Sequence, residues 1–294
     1  MFVDRLSFPE EIKKGSTERG LTQSLILGIS HRYYELTECK PRLKKLHDLL
    51  AEKLYDAKAG CEEAGKTFDQ LLDSVQCSEK ELTEALVELE ALSFKGRWIL
   101  LDMDYRLRLL TLITNYVEEN SWPLDKVRKV ETIQTLEGIE PESLLSQVFD
   151  LYLSKNENEE DTYSLEKKKF SRFYGEYLLQ SSSAYSLDEF LTTWQTAMPE
   201  DIPTDLGDLD GLCLIDKAAS PQTIKYFNER TLSENIHERL ELLFRVKEKW
   251  TVEEITPFVQ KLTTKKLNVN ALLTKYARAS KVDGVKYFGA KHGK

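Results

Sequence analysis

Glycine and proline are scarce in this chain, at 13 and 8 of 294 residues, which argues against a sandwich or barrel built on tight turns. Cysteine is scarcer still: Cys39, Cys61, Cys77 and Cys213 are scattered, with no CxxC pair. Their spacing excludes a disulfide framework or a zinc site and suits the reduced thiols of a cytosolic or nuclear protein. The four histidines, His31, His47, His237 and His292, are too few and too dispersed for a triad or a metal cluster. No P-loop, GxGxxG, HExxH or GxSxG pattern occurs, so nothing in the residues supports an enzyme, a metal or a cofactor. No run of about 18 apolar residues exists, so no spanning helix is expected. Charges at Asp4, Arg5, Glu10 and Glu11 fall where a signal peptide needs its apolar core.

What is present is a helix-rich composition. Hydrophobic residues make up 41% and aromatics 10%, enough for real cores, and 31% of residues are charged. The net charge of −9 conceals an asymmetry. From Gln260 to the end, nine positive residues face Asp283 alone, a net of +8, which leaves −17 on the residues before them. A basic end on an acidic body is the distribution expected where one region meets a polyanion.

Periodicity divides the chain. Residues 25–34 suit a short strand, and after Pro41 the leucines at 43, 46, 49, 50 and 54 mark one face of a helix. Residues 55–66 read as a linker. Thr67 with Gln70, and Ser78 with Glu81, are two capping boxes in succession, each opening an apolar stripe. Residues 93–102 then form a hairpin with Gly96 at its tip. The middle repeats this order of helix, turn, helix and hairpin less cleanly. Helices are expected over about 105–119, 141–153 and 165–180 and after the Ser186–Glu189 cap, with strand-like segments at 213–216 and 223–227. The third copy starts near Ser233, passes through the Thr251–Glu254 box, continues as a helix over 269–280, and ends in a strand at 285–288 after an Asp283-Gly284 turn. Three imperfect copies of one unit predict a mainly α fold with small β-hairpins, arranged as three tandem winged helices. The boundaries expected are a divergent leader at 1–20, a short β/α remnant of an N-terminal domain plus linker helix at 21–56, and winged helices at 57–121, 122–228 and 229–294.

In a helix-turn-helix unit the second helix of the motif meets the major groove. Here that helix would show Asn268, Asn270, Lys275, Arg278 and Lys281, with Lys265 and Lys266 in the preceding turn and Lys286 and Lys291 in the wing and tail. Mostly lysine, the set suits phosphate contacts with little base reading, and hence DNA of low sequence preference. The alternative is a winged helix used as a protein scaffold or in transcription. Glu79, Glu84 and Glu88 on the first unit are unsuited to DNA and point to a protein contact there.

The same residues carry a resemblance. HERLELLFRVKEKWTVEEITPFVQKL at 237–262, followed by NALLTKYARASKVDGVKYF at 270–288, resembles the end of the Dcc family of sister chromatid cohesion proteins. Further similarity lies in YYELTECKPRLKKLHDLL at 33–50 and in the 78–105 and 186–216 regions. The resemblance implies a non-catalytic, nuclear subunit of an alternative replication factor C clamp loader, joined to a second small subunit and a large AAA+ subunit. It further implies action on PCNA, association with DNA polymerase epsilon and DNA contact through the last winged helix. Family members also carry a β-rich assembly domain upstream of the 33–50 match, for which residues 1–20 show no counterpart.

Overall fold

The computed structural model describes residues 43–58, 64–75, 77–157, 160–199, 201–217, 219–264 and 267–291. The expected strand at 25–34, the leader and most of the remnant, Cys39 and Cys61, and both Lys265 and Lys266 lie outside these residues. The described chain is mainly helical with small antiparallel β-sheets.

One element order runs through it. The first unit comprises α1 (Leu43–Ala51), α2 (Phe68–Val75), α3 (Glu79–Glu88) and the hairpin β1 (Leu92–Phe94) and β2 (Arg97–Ile99). The second has α4 (Met103–Glu119), β3 (Val127–Arg128), α5 (Lys129–Leu136), α6 (Glu142–Tyr152), β4 (Leu153–Lys155) and β5 (Thr162–Leu165). The third has α7 (Lys167–Ser181), β6 (Tyr185–Ser186), α8 (Leu187–Thr196), a 3₁₀ turn at Leu206–Leu209, β7 (Cys213–Asp216) and β8 (Thr223–Tyr226). The fourth has α9 (Ile236–Val246), α10 (Val252–Val259), α11 (Val269–Tyr276), β9 (Arg278–Val282) and β10 (Val285–Gly289). In every unit the last strand is central. It pairs with its hairpin partner on one side and, on the other, with a short extended piece that follows the first helix. That piece is β3 or β6 in the middle units and a single bridge, Lys66 with Trp98 or Trp250 with Phe288, in the outer ones.

Among the described residues the order thus occurs four times, with a 3₁₀ turn in place of one helix in the third unit, where the sequence reading counted three copies. The difference lies in the middle, where β3 and α5 were not anticipated. A two-residue strand has no period to detect, and α5 starts at Lys129 after Arg128, whose side chain makes no capping bond. Its N-terminus is instead satisfied from the β4–β5 hairpin, where the Asp161 carboxylate accepts Val130 N–H at 3.2 Å. The capping boxes at Ser78–Glu81 and Thr251–Glu254 are present as expected, and the Thr67–Gln70 pair makes both reciprocal bonds. The linker at 55–66 is less free than its composition suggested. Tyr55 bridges Leu101, and Lys66 bridges Trp98. Gly65 is held at φ +78, where a Cβ would stand 2.1 Å from Trp98 O.

Among the described residues the apolar side chains form three hydrophobic cores. Leu46, Leu50, Leu71, Leu82 and Leu86 form the first, so α1 shares a core with α2 and α3. A second runs from Ala64 to Ile224 and merges the first hairpin with both middle units. The third, around Trp250, Phe258 and Phe288, belongs to the last unit together with Leu232. Burying each of these aromatic side chains contributes about 1.5–3 kcal/mol. Polar groups join the units where the cores meet. Arg106 of the second unit is buried and bonded to Glu90 of the first, and within the second unit Tyr105 O–H donates to the buried Glu140 carboxylate at 2.7 Å. Burial first, and then that bond, push the Tyr105 phenol far above its usual range.

Candidate nucleic-acid interface

The last unit is assembled from its caps inward. Asn235 caps α9 by accepting His237 and Glu238 N–H, and the Thr251–Glu254 box starts α10. Asn268 accepts Ala271 N–H at 2.9 Å and starts α11. Trp250 and Phe288 exchange backbone bonds at 2.9 and 2.8 Å, fixing the wing hairpin to the turn between α9 and α10. The Trp250 indole N–H donates to Leu243 O and Lys247 O. Phe288 is 1% exposed, which anchors the base of the wing while its tip extends outward.

The helix expected over 269–280 is corrected. It ends at Tyr276, and 278–282 form strand β9. Asp283 at φ 49 and Gly284 at φ 84 make a left-handed two-residue turn, which pairs β10 in register with the residues before it. The turn therefore draws into β9 three residues, 278–280, that helical spacing alone assigned to α11. Arg278 and Lys281 are consequently wing residues. Lys281 stands opposite Lys286, so the two ammonium groups share one face of the hairpin.

The candidates divide by what holds them. Asn268 is occupied as a cap. Asn270, Lys275, Arg278, Lys281, Lys286 and Lys291 are exposed. Among the described residues, no ion pair joins any of these five cations to a carboxylate. Lys291 Nζ instead donates to Lys275 O at 2.9 Å, placing a cation at the C-terminus of α11. Lys275 Nζ lies 5.1 Å from the centre of the Tyr276 ring, and Lys286 Nζ lies 4.8 Å from that of Phe288, so both ammonium groups rest against aromatic rings at the surface of the unit. The paired Val282 and Val285 at the wing tip are 40% and 45% exposed.

The acidic candidates fare differently. Glu79, Glu84 and Glu88 are exposed along α3. Glu84 lies 3.9 Å from Lys80, a surface pair of little energetic consequence. Glu88 is engaged inside the chain: Lys261 Nζ is 2.6 Å from its carboxylate, and Arg230 donates to its carbonyl. The same Lys261 reaches Glu229 at 2.7 Å. Behind it Arg239, 3% exposed, donates to Ser233 O, Leu232 O and Phe258 O. Burial lowers the Arg239 pKa, opposed by the Glu229 charge. Sequence reasoning counted Lys261 in the net charge of the basic end, not among the DNA-contact candidates, and overlooked Arg239 and Glu229. The one available signal was Arg239 on the apolar stripe between Ile236 and Leu240. Burial works against the charged form of Glu254, but Lys247 and the Thr251 N–H outweigh it and hold the carboxyl below its usual range.

Among the described residues, no cluster of His, Cys, Asp and Glu could hold a metal, and no helix is long and apolar enough to cross a membrane. Cys77 and Cys213 are free thiols.

Comparison with known proteins gives the family of the chain. The family model described as "Sister chromatid cohesion protein Dcc1" matches residues 1–259. The chain belongs to the Dcc1 family. Members of this family take part in sister chromatid cohesion. "Sister chromatid cohesion protein DCC1" of Mus musculus is 34% identical, over 99% of this chain and 74% of that protein. Its Xenopus laevis counterpart is 35% identical, over 99% and 76%. The Saccharomyces cerevisiae protein of the same name is 24% identical, over 74% and 60%. The Dcc1 match begins at residue 1 and so includes residues 1–20, which the sequence reading set apart. The basic wing lies beyond the end of that match but within the alignments to the two vertebrate relatives, since each covers 99% of the chain.

Proposed function

We propose that this chain is a non-catalytic, nuclear subunit of an alternative replication factor C-like clamp loader, acting through PCNA in DNA replication and sister chromatid cohesion. In this reading each of its four units is a winged helix. The last touches DNA, while the acidic units before it face protein partners: the loader's large AAA+ and small subunits, and DNA polymerase epsilon. Membership of the Dcc1 family supports the cohesion setting. The single observation that carries the DNA contact is the basic face of α11 and the wing. Elsewhere in the same unit Lys247, Arg245 and Lys261 sit against carboxylates, whereas Lys275, Arg278, Lys281, Lys286 and Lys291 do not. Five cations that no carboxylate neutralises among the described residues are available to phosphates, and lysine in excess of arginine implies positioning without base reading.

Fluorescence anisotropy with single- and double-stranded oligonucleotides of unrelated sequence tests this. Wild-type affinity should fall steeply with salt and vary little with sequence. Reversal of the opposed pair in K281E/K286E should weaken binding at low salt and reduce the logarithmic salt slope by about two. An unchanged slope would remove the wing from the interface. Co-purification of the full chain should recover loader subunits and the polymerase. Recovery of transcription factors in their place would favour a winged-helix scaffold outside the replication fork.

A further inference from the structure

The side-chain hydroxyls of the last unit are occupied locally, as those of serine and threonine usually are. Ser233 donates to Glu238, Thr251 caps α10, and Thr264 accepts Leu267 N–H. Thr256, Thr263 and Thr274 each donate to a backbone carbonyl three or four residues back. Ser280 departs from this pattern. Among the described residues its hydroxyl has no partner.

Its position on the wing is unusual too. Ser280 is the middle residue of β9, a strand whose five residues are all exposed and which borders β10 alone. Residues two apart on a strand share a face, so Arg278 and Ser280 lie on one side of the wing and Lys281 on the other. Tyr287 is the residue opposite Ser280, and Lys286 is opposite Lys281. The hydroxyl therefore stands among the cations that no carboxylate neutralises among the described residues. Among those residues, Arg278 is also the one arginine followed two positions later by a serine or threonine.

An exposed and unbonded hydroxyl on an extended edge, with an arginine two residues before it, fits a protein kinase whose cleft reads basic residues through carboxylates. We propose that Ser280 is a phosphorylation site for an arginine-directed kinase, and that the phosphate switches off the DNA contact of the wing. The switch rests on the DNA reading given above, whereas the modification itself does not.

In the transfer the Ser280 oxygen bonds to the γ-phosphorus of ATP, and the bond from that phosphorus to the β–γ bridging oxygen breaks. ADP leaves, and the hydroxyl proton passes to a carboxylate of the kinase. The product carries about −1.5 to −2 charges and three acceptor oxygens. Arg278, on the same face, pairs with those oxygens and is withdrawn from DNA. The face formed by Lys275, Arg278, Lys281, Lys286 and Lys291 falls from five positive charges to about three. A nucleic-acid backbone then meets fixed negative charge in the middle of the site.

The test uses the full chain as wild type, S280A, R278A and S280D, and with phosphoserine encoded at position 280. The catalytic subunit of cyclic-AMP-dependent protein kinase, with ATP, should phosphorylate Ser280 as read by peptide mass spectrometry. R278A should accept at least about tenfold less. By fluorescence anisotropy S280A should bind oligonucleotides as wild type does. The phosphoserine form should bind at least about tenfold more weakly at low salt, with a logarithmic salt slope reduced by about two, and S280D should reduce the slope by about one. Amide exchange of α9 and α10 should match across these forms, which separates lost charge from lost folding. Absence of phosphate at Ser280, equal incorporation into R278A, or phosphoserine binding within about twofold of wild type would each overturn the proposal. Loss of binding accompanied by faster exchange in α9 and α10 would do so too. A wild-type chain that accepts phosphate at Ser280 but binds no DNA would overturn the switch through failure of the DNA reading, and the mass measurement tells the two failures apart.

Discussion

Replacing Arg239 with methionine should destabilise the last unit by about 3–5 kcal/mol, the usual consequence of removing one partner from a buried ion pair. Methionine keeps most of the apolar stem, so the change isolates the guanidinium. That group makes bonds of 2.6, 2.9 and 3.0 Å to three carbonyls from the segment before α9 and the end of α10. Bonds from a charged donor contribute about 1.5–3 kcal/mol each, so three would reach or exceed the expected figure if they were additive. They are not, because water can reach Ser233 once the site opens. A second contribution comes from Glu229, 8% exposed, which keeps only Lys261 as a close cation when Arg239 is gone. Equilibrium urea unfolding, with amide exchange of α9 and α10 as a local readout, measures the loss. Arg239→Lys preserves the charge but cannot reach all three acceptors, and should fall between wild type and methionine. A loss below about 1 kcal/mol for R239M would refute the account, since the carbonyls would then be satisfied without the guanidinium.

Other expectations follow from single contacts. Gly65→Ala should cost at least about 2 kcal/mol by urea unfolding, because a Cβ there meets Trp98 O at a positive φ. Glu254→Gln keeps the capping bond but removes the charge that Lys247 pairs with in the first turn of α10, and should cost about 0.3–1 kcal/mol at pH 7. Because the folded-state carboxyl titrates below its unfolded value, that difference is fully present above the unfolded carboxylate range. It disappears as the pH falls through the folded pKa, so parallel stability curves across acid pH would contradict it. Lys261→Glu should set like charges against Glu88 and Glu229. It should raise amide exchange at the end of α3 and around residues 229–232, leaving the cores of α5 and α6 unaffected.

What the sequence revealed and what it hid follow the range of the interactions concerned. Ser78 with Glu81, Thr251 with Glu254 and Asp283 with Gly284 act within four residues, and each was legible because its chemistry is local. α5 was not, since its cap comes from Asp161, 31 residues away. The end of α11 was misplaced because Ala277 to Ser280 have acceptable helix propensity, and only the register imposed by the wing draws them into β9. Within the basic site, exposure of Lys275 and Lys286 was readable from helical and strand spacing, whereas Lys281 was placed on the face of a helix that ends at Tyr276. The inward turn of Lys261 was not readable, because its partners Glu88 and Glu229 come from distant parts of the chain. A charge count cannot separate lysines that face solvent from one that holds two carboxylates.

The division of the apolar interior into three cores has a consequence for how the chain opens. The central core draws residues from the first hairpin through β8, so both middle units should lose protection together as a single foldon. The last unit, with a core of its own and a polar junction around Lys261 and Arg239, forms a separate cooperative block. Native-state exchange should then show the wing and α11 breathing at free energies below that of global unfolding. In such a molecule the end that carries the basic face can loosen and close again while the middle remains folded, so strain on that end need not spread to the rest of the chain.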